Sequence, residues 1–188
     1  MPVDYPAAQW RPSPNFRLRR PGEEVRLVVV HGTWMAGDEA ALAHLCDAAA
    51  EVSCHYYISR TGEVTQLVGE ADVAWHAGHS RWDFGGEVVE GLNPFSLGIE
   101  LANSGPFQAY PDGPPREVET GPVDWAQAEP YTEAQYATLE ALLEHILPRY
   151  GLDGRAVVGH DAVAPGRKRD PGAHFDWGRV RRALAFSQ

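Results

Sequence analysis

Apolar residues gather in short runs separated by turn residues, and two of these runs stop at a histidine. Glu24 to Val30 ends in three valines before His31, and Val157-Val158-Gly159 leads into His160. Nearly continuous β-branched runs are typical of central, buried strands. Because active sites of open α/β sheets collect at strand ends, we expect both imidazoles at one edge of a sheet.

Further runs predict a hairpin and another strand. Cys54–Ser59 and Glu63–Val68 are rich in β-forming residues, and the turn between them carries Gly62 where a tight conformation is needed. Ser96–Asn103 alternates apolar and other residues, which places Glu100 on the side opposite its aliphatic neighbours. These runs bring the expected number of strands to four or five.

Capping signals predict three helices. Asp38 can cap a helix that runs to about Ala50, and Thr132–Gln135 forms a capping box for a second helix that ends at Pro148 and Gly151. Asp176 can cap the last helix, with Val180 and Leu184 inward. Strands with helices between and after them indicate the α/β class, with a mixed central sheet flanked by helices.

The expected organisation is one domain with an arm. Residues 1–23 contain five prolines and no sustained period, so they are expected to lie as an extended arm on a single domain over 24–188. Residues 104–130 carry further prolines and are expected to form a long surface loop.

The composition and charge of the chain limit the classes of partner that it is expected to bind. The chain has 188 residues, a formal charge of −10 and a pI near 5.2, which argues against nucleic acid or anionic lipid as a partner. No window reaches the roughly 18 apolar residues of a spanning helix, and no signal peptide begins the sequence. We therefore expect a cytoplasmic monomer, although a phage lysin would also lack such a signal. Cys46 and Cys54 are too few for a disulfide scaffold and are read as free thiols.

A metal site is the strongest chemical prediction. A Pro/Gly-rich loop after His160 returns Asp170 ten positions later, and His31 ends the other buried strand. Two imidazoles and one carboxylate give the three-ligand, open-position arrangement of catalytic zinc, whereas closed structural sites usually use cysteines. The predicted zinc ligands are therefore His31, His160 and Asp170.

Two further residues could complete a hydrolytic centre. Glu100, at the exit of its strand, can take a proton from water and give it to a leaving nitrogen, although a surface carboxylate is an equally good interpretation. Lys168 precedes Asp170 by two residues, so an extended chain would place both side chains on one side, where an ammonium can stabilise an oxyanion. A solvated lysine is the alternative for that residue.

Other polar and aromatic residues carry weaker signals. The loop with Trp75, His76, His79 and Trp82 suits a sugar ring or a peptide, although loop aromatics often cover a core. No function is assigned to the helical residues His44 and His145, and His174 is left as a supporting residue or none. A Cys54 nucleophile beside His55 has no supporting context.

Taken together, the chain resembles the zinc-dependent N-acetylmuramoyl-L-alanine amidases, a family that includes phage lysozyme-like amidases and peptidoglycan-recognition proteins. The similarity spans about residues 13–177. It rests on these ordered segments: Ser13-Pro14-Asn15-Phe16, Val28 to Thr33, Val52 to Ile58, Ala74-Trp75-His76-Ala77-Gly78, Asn93 to Glu100, Gly159-His160-Asp161 and Arg167 to Gly172.

The resemblance implies a zinc amidase that cleaves between the lactyl group of N-acetylmuramic acid and L-alanine, in peptidoglycan or in anhydro-muropeptides. It implies Glu100 as the general base and Lys168 as the oxyanion stabiliser. It also places three residues near the muropeptide: His55, Trp75 and His76.

Two positions assign the chain to a branch of that family. Asp170 stands where phage enzymes and many recognition proteins carry a cysteine, which is similar to the bacterial muropeptide-recycling branch. Cys54 stands where phage enzymes have a catalytic tyrosine, so that role is not carried over. The alternatives are a recognition module that binds muropeptide without cutting it and a zinc hydrolase of another amide, such as a deacetylase.

Overall fold

A computed structural model describes residues 3–106 and 124–186. Its strands are β1 Gln9–Trp10, β2 Phe16–Leu18, β3 Leu27–Gly32, β4 Tyr56–Ile58, β5 Val64–Gln66, β6 Asp72–Ala74, β7 Arg81–Asp83, β8 Val88–Glu90, β9 Ser96–Leu101 and β10 Val157–Gly159. Its α-helices are α1 Asp38–Leu45, α2 Glu133–Arg149, α3 His160–Val163 and α4 Trp177–Phe186. Short 3-10 helices span Ala48–Ala50, Asn93–Phe95, Trp125–Gln127 and Gly154–Ala156.

The central sheet has six strands in the order β1-β5-β4-β9-β3-β10. The pairing of β4 with β5 is antiparallel and the other four pairings are parallel, so the sheet is mixed, as predicted. Strands β3 and β10 lie side by side and run in the same direction. Their carboxyl ends therefore meet at one edge, and His31 and His160 stand there.

Helices α2 and α4 cover one face of this sheet. Their buried side chains pack with alternate residues of the central strands in one cluster that includes Val28, Ile99, Leu139, Leu143, Ile146, Val180 and Leu184. Because strand side chains alternate between faces, the neighbouring positions His31 and Glu100 point away from α2. The apolar packing on one face thus directs the polar groups of β3 and β9 to the other.

Several local predictions are confirmed. The β4–β5 hairpin has Gly62 at φ 87°, and Thr132 and Gln135 form the capping box at the start of α2. The backbone N–H of Arg179 donates to the Asp176 carboxylate at 2.8 Å, which caps α4. Other boundaries differ: α1 is shorter than predicted because a separate 3-10 turn follows it.

The end of α2 also differs from the prediction. The helix includes Pro148 and continues to Arg149 before it stops. Gly151, at φ 62°, then closes the end, and the N–H of Leu152 donates to the carbonyl of Leu147 at 2.9 Å. The left-handed residue, rather than the proline, marks the end of the helix.

The arm holds strands that the sequence did not indicate. Strand β1 pairs with β5 at the edge of the central sheet, and β2 pairs with β6. The loop after the hairpin likewise contains β6 and the paired strands β7 and β8, and Trp82 on β7 packs against a buried cluster. Ten strands are described, against the four or five expected.

Part of the predicted 104–130 loop, residues 107–123, lies outside the described residues. Among the described helices, none has the length and apolar character that crossing a membrane requires.

Candidate active site

Three ligand atoms converge where β3, β10 and the loop after α3 meet. His31 Nδ1 and His160 Nδ1 are 2.9 Å apart, and the Asp170 carboxylate oxygen Oδ2 lies 3.2 Å from the first and 3.1 Å from the second. All three residues are buried. The structure therefore brings together the three residues that the sequence analysis predicted as metal ligands.

The spacing of these atoms suits zinc. A tetrahedral zinc ion with ligands at about 2.0–2.1 Å holds neighbouring ligand atoms about 3.3 Å apart, close to the distances seen here. Burial, followed by the proximity of His160, lowers the pKa of His31 to about 4, so this imidazole is neutral at pH 7. Burial alone would raise the pKa of Asp170, but the two imidazoles hold it below its ordinary value. A neutral imidazole nitrogen and an ionised carboxylate oxygen are donors that zinc prefers.

Glu100 lies next to this centre. Its Oε1 is 4.0 Å from His31 Nδ1, and its side chain is 15% exposed. Among the described residues, its other oxygen, Oε2, has no hydrogen-bond partner. Burial and then the charge of Asp170 raise the pKa of Glu100 to about 8, while Lys168 opposes the shift. A carboxylate with a pKa near the working pH is suited to taking up and returning a proton.

Lys168 lines the same cleft as the three ligand residues and Glu100. Its backbone N–H donates to the carbonyl of Ala164 at 3.0 Å, which fixes the turn that returns Asp170 to the imidazoles. It is also the only lysine in the sequence. The cleft encloses roughly 200 Å³, and Trp75 forms part of its wall.

The other two predicted substrate contacts, His55 and His76, are buried more deeply than Trp75. His55 has no exposed surface: its Nδ1 accepts the N–H of Gly98 at 3.0 Å, and its Nε2 lies 3.3 Å from the carbonyl of Asp72. It does not line the cleft, contrary to the expectation that it contacts the muropeptide. His76 borders the cleft but is 9% exposed, and its Nδ1 faces His31 Nε2 at 3.0 Å.

Two cleft residues were missed by the sequence analysis. His44, set aside as a helical residue without function, lines the cleft from α1, as does Trp34 from the turn after β3. Ala41, His44 and Leu45 follow the spacing i, i+3 and i+4, so they share one face of α1. Ala41 and Leu45 are buried, and this spacing was the signal in the sequence that could have placed His44 on the inward face.

Cys54, just before β4, is fully buried in an apolar cluster with residues of α1. Burial, followed by the charge of Glu100, raises its pKa well above the ordinary value. A protonated thiol without access to the cleft is a poor nucleophile, so this structure gives no support to a Cys54 nucleophile.

Comparisons with known proteins agree with this geometry. The family described as N-acetylmuramoyl-L-alanine amidase matches residues 21–173. The 1,6-anhydro-N-acetylmuramyl-L-alanine amidase AmpD of Citrobacter freundii is 31% identical over 192 residues, which cover 90% of this chain and 86% of the relative.

Solved structures show the same fold. A crystal structure of a selenomethionine derivative of AmpD matches with a TM-score of 0.72 and 30% identity, covering 98% of this chain and 99% of that one. AmiD from E. coli, in complex with the substrate anhydro-N-acetylmuramic acid-L-Ala-D-gamma-Glu-L-Lys, matches with a TM-score of 0.69 and 32% identity, covering 85% of this chain and 57% of that one. With its fold, its sequence and its cleft in agreement, this chain belongs to the N-acetylmuramoyl-L-alanine amidase family and is an amide hydrolase of that family.

Proposed function

We propose that this protein is a zinc-dependent amidase that cleaves the bond between the lactyl group of N-acetylmuramic acid and L-alanine, and that soluble anhydro-muropeptides are its substrates. The observation that carries the proposal is the convergence of His31, His160 and Asp170 beside Glu100 in one cleft. The preference for anhydro-muropeptides is supported by the similarity over nearly the whole chain to AmpD, which is named for that substrate.

His31, His160 and Asp170 would hold zinc through two imidazole nitrogens and one carboxylate oxygen, one protein ligand fewer than closed structural sites use. The chemistry that a bound zinc supplies is Lewis acidity toward the carbonyl and a lowered pKa of water. Burial of His31, His160 and Asp170 keeps bulk water from competing for these groups.

Glu100 acts as the general base in this proposal. Its Oε1 takes a proton from the attacking water, and the same carboxyl returns the proton to the nitrogen of L-alanine as the amide bond breaks. The products are the free carboxylate of the lactyl group and the free amine of the stem peptide. Lys168 provides a positive charge on the cleft wall, where the carbonyl oxygen becomes an oxyanion.

The test is hydrolysis of an anhydro-N-acetylmuramyl tripeptide by the purified protein, followed by mass spectrometry. We expect release of the free tripeptide, loss of this activity after treatment with a chelator, and its return with zinc. An Asp170→Ala variant serves as the control for the metal centre.

Three further assays separate the alternatives. Polymeric peptidoglycan is expected to be cut much more slowly than the soluble fragment. Release of acetate instead of tripeptide would indicate a deacetylase and contradict the proposal. Binding of the muropeptide without any cleavage would indicate a recognition module and contradict it as well.

A further inference from the structure

The outer nitrogens of both metal-facing imidazoles meet two consecutive residues of one segment. His31 Nε2 lies 3.0 Å from the ring nitrogen Nδ1 of His76, and His160 Nε2 lies 3.3 Å from the carbonyl oxygen of Ala77. A single two-residue segment thus contacts the far side of both imidazoles, through the side chain of His76 and the backbone of Ala77. Outer contacts of this kind fix the orientation and tautomer of ligating histidines.

The first contact continues as a chain of hydrogen bonds. His76 Nε2 is 3.1 Å from Ser96 Oγ, and that hydroxyl donates to the carbonyl oxygen of Leu92 at 2.7 Å. A carbonyl only accepts, so the direction of every bond follows from this end. Ser96 accepts from His76 Nε2–H and His76 Nδ1 accepts from His31 Nε2–H, so His31 would bind a metal ion through Nδ1, the nitrogen that faces Asp170.

The second contact aims its imidazole in the same way. His160 Nε2 lies 3.3 Å from the Ala77 carbonyl and 3.3 Å from Nη2 of Arg167, while its Nδ1 lies 3.1 Å from Asp170 Oδ2. The guanidinium of Arg167 also donates to this carbonyl, at 2.6 Å, and thereby holds it in place. Both imidazoles therefore turn Nδ1 toward the candidate ligand cluster and Nε2 toward the His76–Ala77 segment.

One side chain clamps the segment that carries both contacts. Asn93 Oδ1 accepts the backbone N–H of His76 at 3.1 Å and that of Ala77 at 2.7 Å. The ring of His76 also packs directly on Gly98, where an added Cβ would lie 2.4 Å from the ring. Asn93 lies in the 3-10 helix just before β9, the strand that carries Glu100.

We propose that Asn93, His76 and Ser96 are positioning residues that orient both metal-binding imidazoles, with Nδ1 toward the metal position and Nε2 toward the His76–Ala77 segment. Asn93 acts by holding the His76–Ala77 segment, and Ser96 acts by ending the hydrogen-bond chain. This inference rests on the proposed zinc-dependent function. It gives His76 a positioning role beside the substrate contact that the family resemblance implied.

The first test is zinc affinity, measured by competition with a chromophoric chelator. We expect Asn93→Ala and Ser96→Ala to weaken zinc binding by about ten- to hundredfold, the usual effect of removing such an outer contact. Asn93→Asp keeps an acceptor oxygen at the same place and is expected to retain affinity within about threefold of the unmodified protein.

The matched control is Asn15→Ala. The Asn15 amide also clamps backbone, donating to the carbonyls of Asp47 and Val52 at 2.8 Å each, but it does not contact a predicted ligand. It is expected to lower thermal stability without changing zinc affinity. Unchanged affinity in the folded Asn93→Ala and Ser96→Ala variants would overturn the proposal, as would equal losses in Asn93→Ala and Asn93→Asp.

The second test needs no variant. Nitrogen-15 NMR of the histidine rings in the zinc-loaded protein is expected to show His31 and His160 coordinated through Nδ1. Coordination of either histidine through Nε2 would overturn the inference. If the unmodified protein binds no zinc, the proposed function fails, whereas zinc binding with unchanged affinity in the variants contradicts this inference alone.

Discussion

Glu100 stands directly opposite His31 in the parallel pairing of β3 and β9, and its Oε1 lies 4.0 Å from the imidazole Nδ1. The same residue of β9 also pairs with Tyr57 of β4 on its other side. The proposed base and a proposed metal ligand are thus spaced by the backbone register of central strands. Sites built on strands hold their geometry more closely than sites built on loops.

This arrangement predicts the behaviour of Glu100→Gln. The amide keeps the shape of the side chain but cannot take up a proton, so we expect kcat to fall by about 10²–10⁴-fold. Zinc affinity should change little, because Glu100 is not one of the three converging ligands. Steady-state kinetics and zinc competition check the two expectations, and a variant that keeps more than a tenth of the activity would exclude Glu100 as the base.

Lys168 gives a second prediction, in which Lys168→Met keeps the length of the side chain and removes its charge. Loss of an oxyanion partner is expected to lower kcat by about 10²–10³-fold with little change in KM. Because the sequence contains no other lysine, an amine-reactive reagent modifies only this side chain and the N-terminus. Substrate should protect Lys168 from the reagent, and equal labelling with and without substrate would argue against its place in the site.

The site was predictable from the sequence where long buried strands end. The valine runs before His31 and His160 identify central strands, and parallel neighbours must bring their carboxyl ends to one edge. Glu100 followed from the alternation along β9, since aliphatic residues occupy the face that packs on α2. Each of these elements can be recognised from a hydrophobic period or a helix cap that lies within one continuous stretch of sequence.

The missed features depend on contacts between distant segments. Strands β1 and β6 have two and three residues, too few to show any period, and they form because β5 and β2 supply partners. The burial of His55 depends on the backbone of Gly98 and Asp72, which no local pattern indicates. The sequence therefore does not distinguish a buried histidine that contacts the backbone of distant segments from one that borders a cleft.

A third prediction concerns the thermal stability of the protein with and without zinc. Zinc at about 1,000 times its Kd should stabilise the folded state by about 4 kcal/mol, because a site built from three distant segments exists only in the folded chain. In Asp170→Asn most of this gain should disappear. Asp161→Asn is the matched control, since that carboxylate adjoins His160 and accepts the N–H of Ala162 at 2.9 Å without joining the ligand set. Equal zinc-induced shifts in both variants would contradict the ligand assignment.

His55 gives the last prediction, which concerns stability against pH in the zinc-free protein. Burial lowers its pKa to about 3, from 6.5 in an exposed histidine, despite the opposing contact with Asp72. Between these values the unfolded chain binds a proton that the folded chain does not, so the free energy of unfolding falls by about 1.4 kcal/mol for each pH unit below 6.5 on account of this group. Above pH 6.5 His55 is neutral in both the folded and the unfolded chain, and its contribution does not change.

The variant His55→Asn keeps an acceptor for the N–H of Gly98 but cannot titrate. Its free energy of unfolding should therefore be lower at pH 7.5 and fall less steeply between pH 6 and 4. Urea unfolding across that range measures both slopes, and parallel slopes would show that His55 is protonated in the folded protein.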